Sequence, residues 1–296
     1  MTNWDDMRIF LAVARAERLS AAAPGLRMDP ATLGRRIARL ERSLGAALFV
    51  KSPQGYALTD QGERMRAAAE RAEEALTAAQ DVTRSSQTGL TGQVRIGAPD
   101  GCATFLLPQV CAAIQAENPE LEMQVLSLPR VVNLSRREAD MAITVSPPQA
   151  GRLSVQKIAD YRLHLAQHRD LPVPDSLAAV KGRPVVGYIP DMIFDAALDY
   201  LGPLADAGVQ LASNSVTVQL QMLRSGRGIG IVHDFALPAA PELRRVLTEE
   251  LSLVRAFHLV RHDADRRSER LTRVARALTA GLRAEISRLE AVSRPA

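Results

Sequence analysis

The stretch from Asp29 to Leu44 constrains this chain more than any other part of it. Asp29 followed by Pro30 is a helix start, because the carboxylate accepts from free first-turn amides and proline lacks only an N–H that has no partner there. Beyond it Leu33, Ile37, Leu40 and Leu44 fall on one narrow helical stripe, while Thr32, Arg35, Arg39 and Arg42 fall opposite. One side must pack, and the other presents arginines.

Two shorter helices are predicted ahead of it. The first opens at Asn3 with Asp5 and Asp6 in its first turn and sets Met7, Phe10, Leu11 and Ala14 on one face. The second starts after Ser20 with Ala21, Ala22 and Ala23 but meets Pro24 and Gly25 at once, so it should be short, with Arg27 and Met28 making the turn. A basic third helix entered through a tight turn is the organisation of a helix-turn-helix, whose last helix enters the DNA major groove. Alone, such a face would more often be merely solvated; the preceding helix and turn favour DNA. Residues 47–50 and 56–58 then read as strands around a turn, a wing directing Lys51 and Gln54 at phosphate or the minor groove.

The formal net charge of +4 hides a local surplus: residues 31–51 hold Arg35, Arg36, Arg39, Arg42 and Lys51 against Glu41. All basic residues but Lys51, Lys157 and Lys181 are arginine, whose planar fork suits phosphate and guanine edges, although an arginine-rich proteome would give the same bias.

The motifs Phe10-Leu11-Ala12-Val13-Ala14, Leu19-Ser20-Ala21-Ala22-Ala23, Arg35-Arg36-Ile37-Ala38-Arg39-Leu40-Glu41, Leu44-Gly45, Leu48-Phe49 and Leu58-Thr59 with Gly62 stand here in the order and spacing of one family. The chain resembles the LysR-type transcriptional regulators. That resemblance implies a DNA-binding set of Ser20, Thr32, Arg35, Arg36, Arg39, Lys51 and Gln54. Asp29 and Gly34 stand where the family usually has serines, so general DNA binding carries over and the base readout of relatives does not.

From Thr59 the chain turns alanine-rich, and Met65, Ala69, Ala72, Leu76 and Ala79 recur in alternating steps of four and three, the spacing of a coiled-coil seam. A helix over 60–84 would be ~37 Å long and too thinly apolar to stand alone. The resemblance makes it a linker helix pairing two subunits, with tetramers built from such dimers; the plainer alternative is a helix packed on its own domain. Residues 85–92 read as a flexible joint.

Past the joint, strands are expected at 94–97, 121–126 and 141–145 and helices at 105–117 and 134–138, an alternation that means a parallel sheet. A fainter echo follows: a strand over 184–188, helices near 194–201 and 216–224, and a strand over 228–232. Segments 163–166 and 257–260 cross between two halves that leave a cleft. The resemblance, weaker here in Glu138-Ala139-Asp140-Met141-Ala142-Ile143 and Gly226-Arg227-Gly228-Ile229-Gly230, makes this an effector domain built like a periplasmic binding protein. The expected class is α+β: a winged helix-turn-helix over 1–59, a linker helix and hinge over 60–92, and an α/β effector domain over 93–296, with subdomain I at about 93–162 and 256–296 and subdomain II at about 163–255.

Ligands of open α/β sheets sit beyond the carboxyl ends of strands, which brings together 98–102, Ser146 and 213–215. Asp100, Cys102, Thr104, Ser146 and Asn214 are the expected effector contacts. Relatives often offer hydroxyls and helix amides to a carboxylate effector; Asp100 in that neighbourhood, even as a plain helix cap, would repel one, so a neutral, cationic or hydrogen-bond-donating effector is expected.

Other classes fit poorly. No apolar run is long enough for a membrane span, and the start has no signal-peptide pattern, so a cytoplasmic protein is expected. Gly226-Arg227-Gly228-Ile229-Gly230 precedes a strand rather than following one, the reverse of a dinucleotide loop. His258 and His262 are spaced like zinc ligands but lack a third partner. Cys102 and Cys111, if on one helix, would be ~13 Å apart along its axis, beyond disulfide reach. No catalytic residue, metal or cofactor is expected. The expected partners are an operator in double-stranded DNA, a small-molecule effector, a second copy of the chain and RNA polymerase. The alternative is a small-molecule-binding or catalytic α/β protein with an accessory DNA-binding module.

Overall fold

Asn3 accepts from the Asp5 amide and opens helix α1 (Trp4–Ala16); Asp29 accepts from the Thr32 amide at 2.8 Å and opens α3 (Pro30–Leu44). These caps belong to a computed structural model that describes residues 3–52, 55–84, 89–127, 138–148, 151–193, 195–200, 202, 204 and 208–293. The chain divides into two compact units, Met1–Ser86 and Gln87–Ala296.

In the first unit, helix α2 (Leu19–Leu26) begins one residue before Ser20 and runs through Pro24 and Gly25. Ser20 therefore lies inside the first turn and not ahead of it. Pro24 gives up the bond its amide would have made back along the helix, and the helix ends two residues later, where Arg27 turns left-handed (φ 51°) and its amide reaches the carbonyls of Ala23 and Pro24. Strands β1 (Phe49–Ser52) and β2 (Gly55–Leu58) pair antiparallel, with Lys51 opposite Tyr56, so Lys51 and Ser52 belong to the strand and not to the turn. Gln54 lies outside the described residues. Ile9, Phe10, Leu11, Val13, Leu33, Ile37, Leu40 and Leu48 are almost fully buried together. Each such side chain removed from water is worth ~1.5–3 kcal/mol, which is why the apolar stripe of α3 faces inward and its arginines outward.

Helix α4 (Asp60–Arg84) spans the expected residues, but its seam is divided. Ala69 is buried and Met65 half-buried in the core of their own unit, and Arg15 reaches Glu73 at 2.6 Å. Met65 and Ala69 therefore serve the helix-turn-helix core, contrary to the uniform seam expected. Ala72 is exposed and Leu76 43% exposed, while the side chain of Ala79 lies outside the described set. Near the helix start, a Cβ on Gly62 would overlap the Leu48 carbonyl, so α4 lies directly on the wing.

The second unit is built on one nine-stranded sheet: β3 (Gly92–Ala98), β4 (Leu121–Ser127), β5 (Met141–Thr144), β6 (Leu153–His168), β7 (Val185–Gly187), β8 (Leu211–Ala212), β9 (Ile229–His233), β10 (Leu243–Arg245) and β11 (Ser252–His262). The order is β4-β3-β5-β11-β6-β9-β7-β8, with β10 also on β6. Pairing is parallel within each half (β3 with β4 and β5, β7 with β8 and β9) and antiparallel in the middle. The two crossing strands are antiparallel because β6 carries the chain out of the first lobe and β11 brings it back. The expected helix over 105–117 is α6 (Leu107–Glu117), preceded by a separate short helix α5 (Asp100–Phe105) that was not expected, so Cys102 and Cys111 lie on different helices. Near 194–201 only a 3-10 turn, Ala196–Leu198, is described, with Asp195 capping it in place of a full helix start. Residues 134–137, expected helical, and 85–88 of the joint lie outside the described set. Helix α7 (Val216–Arg224) matches its expected bounds. Helix α8 (Glu269–Val292) buries Leu271, Val274, Leu278, Leu282, Ile286 and Leu289 on one side, and packs on α6 and β6.

Candidate nucleic-acid interface and effector cleft

The outward face of α3 carries Thr32, Arg35, Arg39 and Arg42. Arg35 is exposed and donates to Thr32 Oγ1 at 2.9 Å, which orients its guanidinium along the helix. The side chain of Arg39 is 58% exposed yet reaches Asp6 at 2.9 Å. Arg36 differs. Its side chain is 19% exposed, and it donates to Asp6 at 2.7 Å and to Asp5, tying α3 to the start of α1. Hydrogen bonds from Arg8 and Arg36 hold the Asp5 carboxyl below its ordinary value. Lys51 lies 3.6 Å from Glu41 of α3 and 5.8 Å from the Tyr56 ring centre in the wing, so its charge is partly engaged. Ser20 is exposed on α2. Sequence reasoning passed over Glu41, although a lone acid in a basic run is a signal: its Oε1 accepts from the amides of Leu48 and Phe49 and holds the wing's base to α3.

In the second unit the loops at the strand ends meet across the two lobes. Asp100 does not cap its own helix: Pro99 precedes α5 with no side-chain cap, and the Asp100 carboxylate turns to the other lobe. Its Oδ2 accepts from Ser215 Oγ at 2.8 Å and from the amide and hydroxyl of Thr217 at 3.1 and 3.2 Å. Thr104 Oγ1 lies 3.3 Å from Thr217 Oγ1, which with its one proton given to Asp100 can accept there. Ser146 donates to Asp195 at 2.8 Å, again across lobes. Arg255 donates to the Ala197 carbonyl and lies 5.9 Å from the Tyr200 ring centre. Asn214 is half-buried in the loop before α7. Behind these groups is an aromatic box in which Tyr161 stacks on Phe257 at 4.2 Å and His233 lies within 6 Å of Tyr161, Tyr200 and Phe235. Cys102 is corrected from effector contact to core: it is fully buried, and burial pushes its thiol up.

Residues 4–63 match the model of the bacterial regulatory helix-turn-helix of the lysR family, and residues 87–283 match the LysR substrate binding domain. The chain belongs to the LysR family of transcriptional regulators. It is 27% identical to the Mau operon transcriptional activator of Paracoccus denitrificans over 79% of this chain and 80% of that one. A variant of full-length OxyR from Pseudomonas aeruginosa shares its fold with a TM-score of 0.70 at 16% identity, covering 96% of this chain and 95% of that one. Full-length LysG from Corynebacterium glutamicum, solved with arginine bound as effector, gives 0.64 at 18% identity over 96% and 99%.

For this LysR-type regulator, the cleft residues that sequence reasoning missed are Asp195, Thr217, Arg255 and the ring of His233. Ser215 falls in the expected cleft loop 213–215, but its part there as donor to Asp100 was not foreseen; its hydroxyl also caps α7, accepting from the Val218 amide. Among the described residues no group of three His, Cys, Asp or Glu side chains is placed to hold a metal ion, and no helix is long and apolar enough to cross a membrane.

His233 makes a measurable prediction. Burial pushes its imidazole down to about 3, against a smaller upward pull from Asp100. The unfolded chain then takes up the proton first, so the stability this residue carries is complete above the ordinary value of 6.5 and is lost as pH falls from there towards 3. His233→Phe, which preserves the ring packing, is expected to gain on the parent by up to about 1.4 kcal/mol per pH unit through that window. Melting curves of the two proteins that stay parallel on acidification would assign the acid sensitivity elsewhere.

Proposed function

We propose that the regulator binds its operator as at least a dimer, with α3 of each subunit in a major groove, Arg35 and Arg39 on base edges or phosphate and Thr32 beside them. Ser20 and the wing residues Lys51 and Gln54 contact the DNA backbone. The observation that carries this reading is the division of α3 into a buried leucine and isoleucine stripe and an exposed arginine face. Two-fold protein symmetry is mirrored in an interrupted inverted repeat. The second unit binds a small effector between its lobes, near Thr104, Ser146 and Asn214, and communicates its presence to operator occupancy or to RNA polymerase without chemical turnover. With carboxylates at Asp100 and Asp195, the cleft suits a neutral, cationic or hydrogen-bond-donating effector better than a simple acid.

Selection of duplexes from a random pool by the full chain tests the operator reading: an interrupted inverted repeat is expected, and recovery of no common sequence overturns it. Pairing through α4 has its own test. Because Met65 and Ala69 already pack within their own unit, the seam left for a partner begins at Ala72 and Leu76. Leu76→Glu with Ala72→Glu puts charge into an apolar contact and is expected to weaken association by roughly 100-fold. Sedimentation velocity reads the change; an unaltered oligomer would place the seam elsewhere.

A further inference from the structure

Asp100 and its partners are 115 and 117 residues apart in sequence, yet one oxygen of one carboxylate takes three donors from the far lobe. Two of those donors, the Thr217 amide and hydroxyl, belong to the first turn of α7, where unpaired amides and the helix dipole favour an anion. Among the described residues, the other oxygen has only a long contact, 3.4 Å from Ser127 on its own lobe. Gly101 beside it is buried, and a Cβ there would stand 3.5 Å from Val216, so α5 and α7 meet closely behind the carboxylate. Ser146 and Asp195 add a second hydroxyl-to-carboxylate bridge between the lobes.

We propose that Asp100 is a tethered anion: its carboxylate fills the anion-binding position at the amino end of α7 from the opposite lobe, latches the two lobes together without a ligand, and so excludes free carboxylates from that position. A tethered group competes at an effective concentration of millimolar or more, which a dilute free acid does not match. Asp100 is thus a specificity-determining residue for the same cleft in which the effector is proposed to bind. The latch is read by melting temperature rather than by operator occupancy, so it can fail while the regulator reading stands.

Shortening the side chain should turn the latch into a site for an added anion. Formate replaces the lost carboxylate of Asp100→Ala, and acetate replaces the lost side chain of Asp100→Gly. In the full chain both variants are expected to melt roughly 3–10 °C below the parent. Tens of millimolar formate or acetate should restore much of that loss relative to chloride at equal ionic strength, whereas acetamide should not. The parent should respond to none of these. Variants that melt like the parent, or a parent stabilised by the acids as much as the variants are, would overturn the proposal. Asp100→Asn, which preserves shape, and Thr217→Val give an independent check as a double-mutant cycle. Losses smaller together than their sum are expected for groups that meet, and full additivity would reject the latch.

Discussion

Replacing Arg35 and Arg39 together with alanine is expected to lower operator affinity by roughly 100-fold or more, since an arginine reading a base edge contributes ~1–3 kcal/mol of discrimination. The two should not contribute alike. Arg35 is exposed and donates to Thr32 on its own helix, whereas Arg39 shares its charge with Asp6. Arg35→Ala is therefore expected to cost more affinity and to relax the preference at one base pair. Arg39→Ala should weaken binding to all sequences more evenly and flatten the salt dependence by about one counterion. Arg36→Ala should act on stability first, because its guanidinium joins α1 to α3 through Asp5 and Asp6. Titration of the selected operator by fluorescence anisotropy at several salt concentrations separates these cases. Affinity in the double variant equal to the parent's would remove α3 from the interface.

The largest single loss of stability is expected at Asp234. This carboxylate is buried where β6, β9 and β10 come together, and it accepts from His164 Nδ1 at 2.8 Å and from Arg245 at 2.8 Å. The Arg245 side chain is itself only 11% exposed. Asp234→Ala strands a nearly buried guanidinium without a counter-charge, a change that typically costs ~3–5 kcal/mol and lowers the melting temperature of a unit of this size by roughly 10 °C. Removing the charge as well, in Asp234→Ala with Arg245→Met, should recover much of the loss, because two apolar groups in place of an ion pair are often close to neutral. Calorimetry decides it. An Asp234→Ala protein that melts with the parent would mean that the network contributes nothing to stability.

Sequence alone was sufficient wherever the physical cause is local. The caps at Asn3 and Asp29, the stripe of α3, the hairpin of the wing, the bounds of α4 and α7, and the strands around β3, β4 and β9 follow from hydrogen-bond satisfaction and periodicity within a few residues. The motif glycine at position 62 is different, since only the Leu48 carbonyl lying against it shows why no side chain fits there. What the tertiary structure decided is which charge meets which and which face meets what. An exposed arginine and an ion-paired one look alike in sequence, and only the placing of Asp5 and Asp6 beneath Arg36 separates it from Arg35. Met65 and Ala69 share the spacing of Leu76, and only the extent of their own domain core assigns them inward. Cys102 sits in a loop-to-helix segment that points towards the cleft in sequence order, but it lies on the buried side of α5 and its thiol joins the core. Asp100 reads as a cap for the helix it begins; its donors lie more than a hundred residues away, and only the folding of one lobe against the other brings them together. Periodicity and capping are satisfied along the chain, whereas burial and charge pairing are satisfied across it, and that is the boundary between what this sequence determined and what its fold decided.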